Sequence, residues 1–113
     1  MDKSKLLTES KVFCMAPWIH AHTNPIGDAH PCCIGKGIFA RQADLNGIVN
    51  SEGMKALRQD MLNEVQNHAC MACHLHEAQG VPSFRKWFNR EYGKHLEYSL
   101  ANTRKDGTLN HFK

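Results

Sequence analysis

The sequence predicts an α+β fold: a small β-hairpin followed by two to three helices, organised around a metal cluster. Three observations carry it. "NPIGD", residues 24–28, packs Asn, Pro, Gly and Asp between two short apolar stretches, a strong turn signal. Met54, Leu57, Met61, Leu62 and Val65 recur at helical spacing. Five cysteines stand in a chain of 113 residues, two of them in "CMAC". The apolar share, 42 %, is that of an ordinary folded protein, and no run of about 18 apolar residues suggests a membrane span.

The elements follow in chain order. Residues 1–11, "MDKSKLLTESK", are charged and lack the apolar core of a secretory signal, so they read as a loose leader. The expected compartment is the cytoplasm, where thiols stay reduced and a disulfide framework is not expected. In "FCMAPWIHAH" any strand starts after Pro17, which places Trp18 to His22 on the first arm of the hairpin. "AHPCCI" returns as the second arm, with Pro31 at an edge or non-bonded position. Residues 35–50 are loop-like. Asn50 or Ser51 then caps a helix whose apolar face holds the Met and Leu residues named above, with Lys55, Arg58, Gln59 and Asp60 mainly elsewhere. "NHACMACHLHEAQG" reads as a short helix ended by Gly80. Pro82 and Ser83 open another, "SFRKWFNREYG", with Phe84, Trp87 and Phe88 as its apolar stripe and Gly93 as its stop. Residues 96–113 read as a tail or linker.

Formal charge is unevenly placed. Residues 1–80 hold seven Lys/Arg against eight Asp/Glu, and residues 81–113 hold seven against three. A solvated basic helix and tail explain this without a ligand. Arg85, Lys86 and Arg90 mixed with aromatics is also a nucleic-acid pattern. The helical stripe, however, puts the aromatics on a face of their own, which argues for core packing and against nucleic acid. No Gly-x-Ser-x-Gly, phosphate loop or carboxylate-pair motif marks a hydrolase or phosphoryl-transfer site.

An odd number of cysteines in a reducing compartment points to metal. Cys70 and Cys73, three apart on a helical turn, face one ligand. Cys14 and one of Cys32 and Cys33 complete four thiols, because neighbouring residues on a strand point to opposite faces. The other member of the doublet is then a small packing residue. A structural Zn2+ site of four cysteines, or three plus a histidine, fits the same residues, with His68, His74 and His76 crowding the Cys-x2-Cys. His20, His22 and His30 on the hairpin read as rim residues.

"FCMAPW…GDAHPC…CMAC" resembles the twitch form of the SPASM region, the auxiliary iron–sulfur domain of many radical S-adenosylmethionine enzymes. The likeness continues through "LNGIVNSEGMKALRQDMLNE" and "EAQGVPSFRKWFNREYG", so it covers about residues 12–95. It implies one [4Fe–4S] cluster held by Cys14, Cys32, Cys70 and Cys73, the Gly27-x4-Cys32 spacing selecting Cys32 over Cys33. It also implies electron transfer or substrate positioning, and as partner a radical S-adenosylmethionine catalytic domain or protein acting on a peptide or small molecule. One departure matters. The Cys-x3-Cys-x2-Cys triad that cleaves S-adenosylmethionine needs a cysteine where Gln66 stands, so this stretch is not expected to be a complete enzyme by itself.

Overall fold

The computed structural model describes residues 5–19, 22–23, 28–30, 40–41 and 45–110. Ahead of the first helix the chain turns rather than trails. Leu6 is buried in the core, so residues 5–11, the described part of the segment read as a loose leader, pack against the domain.

Helix α1 is Ala16–Ile19, which corrects the strand expected from Trp18 onward. Pro17 sits in its first turn, where a fixed φ and a missing N–H are both tolerated. Burial of Trp18 decides the conformation: its ring lies 5.0 Å from Phe13, and its Nε1 donates to Thr103 Oγ1 at 2.8 Å. Three short antiparallel strands follow: β1 (His22–Thr23), β2 (Asp28–His30) and β3 (Ala40–Arg41). Their order is β1-β2-β3, with His22 opposite His30 and Ala29 opposite Ala40. Ala29 is buried. Pro31, Cys32 and Cys33 lie outside the described residues, and so does the alternation argued for the doublet.

Helix α2 (Leu45–Val49) leads into α3 (Glu52–Leu62). Ser51 caps α3, its side chain accepting from the Met54 N–H. Met54, Leu57 and Met61 are buried on one face. Val65 is not part of that face: the helix has ended, Glu64 turns the chain at φ 59°, and Val65 is exposed. Arg58 is the larger departure. Its residue type suggests solvent, yet it is fully buried. Nε donates to Pro17 O (2.8 Å), one terminal nitrogen to Gly107 O (2.8 Å) and the other to Val49 O (2.5 Å). One side chain thus ties α3 to α1, to the end of α2 and to the C-terminal turn.

A 3-10 turn at His68–Cys70 runs into α4 (Met71–Ala78), and Gly80 ends it at φ 74°. Helix α5 (Phe84–Tyr92) is capped by Ser83, and a second 3-10 turn (Gly93–His95) joins it to α6 (Leu96–Ala101). The expected stripe of Phe84, Trp87 and Phe88 is only one-third buried. Phe88 is inside, while Phe84 and Trp87 are 41 % and 39 % exposed. The inward face carries Arg85 and Asn89 instead, because both serve backbone groups of the segment before α1. The stretch read as a tail or linker also packs. Leu96, Leu100 and Leu109 join the core, and Thr103 bridges to Leu109. Among the described residues no helix is long and apolar enough to cross a membrane.

Candidate metal centre

Cys14 lies in an irregular stretch, residues 10–15, with no helix or ladder of its own to satisfy its peptide groups. Side chains do that work instead. Ser10 Oγ accepts the Val12 and Phe13 N–H groups at 3.1 and 2.9 Å, and donates to Glu64 Oε2 at 2.6 Å. Asn89 spans the cysteine: its Nδ2 donates to Phe13 O and its Oδ1 accepts the Met15 N–H, each at 2.9 Å. Arg85 adds bonds to Ser10 O (3.1 Å) and Phe13 O (2.9 Å). The peptides on either side of Cys14 are therefore fixed from α5, which sets where its thiol points. Cys14 is buried, and its Sγ accepts the Ala16 N–H at 3.4 Å.

Cys70 and Cys73 come from the other end of the sequence. Asn67 opens their turn by accepting the Ala69 N–H and donating to Asp60 Oδ2, which anchors it to α3. Cys70 is half-buried and Cys73 buried. The start of α5 is locked over Cys73 by the pair Glu77–Arg85. Arg85 Nε and Nη2 meet the two carboxylate oxygens at 2.7 and 2.6 Å, and Ser83 Oγ donates to the same carboxylate at 2.8 Å. Burial pushes the Cys73 thiol up from its ordinary pKa. The backbone N–H groups of Phe84 and Arg85 oppose that, since they bond the sulfur and favour its anion. For Glu77, burial works to raise the carboxyl, but the bonds from Arg85 and Ser83 outweigh it and hold the carboxyl below its usual range.

The three thiols share one cavity. Val12, Ala16, Leu57, Met61, Phe84 and Phe88 wall it with Cys14, Cys70 and Cys73, and Arg85 closes one side. It contains about 430 Å³ of empty space counted out to its mouth. An apolar pocket edged by thiols and backbone N–H groups fits an iron–sulfur group, whose iron is held by thiolates and whose sulfurs take N–H bonds. Among the described residues no group of three His, Cys, Asp or Glu closes around a single ion position.

The histidines weighed as zinc ligands stand apart from this cavity. His68 and His76 are exposed. His74 lines a separate cleft with Gln66, Glu77 and Lys86, where burial lowers its pKa and Nε2 has no partner among the described residues. His30 on β2 is half-buried. Of the four cysteines implied by the resemblance, three are thus gathered on one cavity, while Cys32, with Cys33 and His20, lies outside the described residues. Sequence reasoning missed Ser10, Arg58, Glu77, Arg85 and Asn89. A polar residue on a helix looks solvated until the carbonyls it serves are known.

No curated protein and no solved structure matches the chain. A family model for the SPASM iron–sulfur cluster-binding domain matches residues 14–74, which begin at Cys14 and end one residue past Cys73. That match spans more than half of the 113 residues, and the chain belongs to the SPASM iron–sulfur cluster-binding domain family.

Proposed function

We propose that this domain holds one [4Fe–4S] cluster on Cys14, Cys32, Cys70 and Cys73 and serves as the auxiliary electron-transfer module of a radical S-adenosylmethionine enzyme. The observation that carries the reading is the meeting of Cys14 with Cys70 and Cys73 around one apolar cavity, although 56 positions separate Cys14 from Cys70. When bound, the cluster supplies a one-electron acceptor and donor. Four thiolates leave no iron open to a substrate, so electron transfer is favoured over direct substrate activation. The lining residues Val12, Leu57, Met61 and Phe88 would give a bound cluster an apolar surround. Asn89 and Arg85 hold Cys14 in place, and the start of α5 directs two N–H groups at Cys73.

Cleavage of S-adenosylmethionine belongs to the partner, because Gln66 stands where the first cysteine of the necessary triad is required. Cluster assembly requires reduced thiols, in keeping with a cytoplasmic location. The test is spectroscopic. Reduction of the anaerobically loaded protein by dithionite is expected to give the electron paramagnetic resonance signal of a reduced [4Fe–4S] cluster, unchanged by added S-adenosylmethionine. A signal altered by S-adenosylmethionine would show an open iron and contradict ligation by four cysteines.

A further inference from the structure

Two buried arginines approach the thiol cavity, and they differ in one respect. Arg85, which lines it, is neutralised by the two-oxygen pairing with Glu77. Arg58 is fully buried and bonds only carbonyls among the described residues. Burial is the cause that pulls its pKa down to about 10, with no carboxylate opposing it. The guanidinium still keeps its proton at neutral pH. It does not line the cavity but stands one layer behind its wall: its Nε holds the carbonyl of Pro17, a lining residue, and its helix neighbours Leu57 and Met61 line the wall too.

An unpaired charge in a low-dielectric interior acts over a long range, because neither water nor salt screens it well. A cluster held by four thiolates is anionic, and its negative charge grows by one on reduction. A fixed cation beside it therefore favours the reduced state. We propose that Arg58 is a positioning residue for charge: its guanidinium, which meets no carboxylate among the described residues, raises the reduction potential of the cluster, while the Glu77–Arg85 pair braces Cys73 without adding net charge. This rests on the cluster reading given above. It assigns Arg58 an electrostatic task beyond stapling α3 to its neighbours.

The experiment is a potentiometric titration of the full chain with its cluster, followed by electron paramagnetic resonance, on wild type, Arg58→Lys, Arg58→Met and Glu77→Gln. Arg58→Met is expected to lower the one-electron reduction equilibrium on the order of tenfold, about 59 mV. Arg58→Lys, which keeps the charge, is expected to stay near wild type. Glu77→Gln leaves Arg85 unpaired at the cavity and is expected to raise the potential. If Arg58→Met does not fold, Arg58→Gln, which removes the charge but keeps an N–H donor for the carbonyls, decides. A potential unmoved by removal of the Arg58 charge, or an Arg58→Lys shift as large as that of Arg58→Met, overturns the proposal while leaving the cluster in place. Wild-type protein without iron and sulfide overturns the cluster reading and this proposal together.

Discussion

Asn89 shows how a site can depend on a residue that never touches the metal. It bonds the carbonyl before Cys14 and the N–H after it, both buried. Asn89→Ala leaves the buried Met15 N–H without its acceptor, at about 1–3 kcal/mol, while Phe13 O keeps its bond from Arg85. The expected outcome is a lower denaturation midpoint together with reduced iron content, since the Cys14 thiol loses its fixed direction. Among the cysteines, Ala substitution at positions 14, 32, 70 or 73 is expected to lose iron, measured by metal analysis of each variant, and at Cys33 to spare it. Equal losses at Cys32 and Cys33 would contradict strand alternation as the basis for choosing between them. Glu77 carries a pH dependence. Its folded pKa lies below the unfolded value, so its pairing stabilises above about pH 4 and is lost as pH falls through the folded value. The stability gap between wild type and Glu77→Gln, measured by denaturant titration, is therefore expected to narrow on acidification.

At the scale of elements, legibility follows the range of the interaction. The caps Ser51 and Ser83 and the left-handed Gly80 are local, fixed by a residue and its neighbours within one turn, and they could be read from the sequence. The cysteine spacing was likewise readable, because three residues on a turn must share a side. Helix α1 and the inward face of α5 were not. Trp18 becomes helical because Phe13 and Thr103 receive it, and Arg85 and Asn89 turn inward because residues 10–15 offer unpaired peptide groups. Those partners lie up to 85 positions away, beyond any local periodicity. Phe84 and Trp87 are displaced outward by the same exchange. Loss of the α3 cap gives a simple check: Ser51→Ala is expected to cost about 1 kcal/mol in chemical denaturation without altering iron content.

For the whole molecule, the two ends matter more than their composition suggests. Leu6 enters the core from one end and Leu100 and Leu109 from the other. The C-terminal turn is closed over α3 by Gly107, at φ 91°, where an added Cβ would lie 2.3 Å from the Lys55 carbonyl oxygen. Gly107→Ala is therefore expected to destabilise by at least about 2 kcal/mol, since the turn must move and carry away an acceptor of Arg58. The fold thus brings distant pieces together around one cavity, the place proposed above for the cluster. Iron, acid-labile sulfide and zinc measured on the full chain after anaerobic purification test this most directly. Iron and sulfide in equal amounts, in the ratio of one [4Fe–4S] cluster per chain and without zinc, is the expected result. A single zinc per chain with no acid-labile sulfide would contradict it.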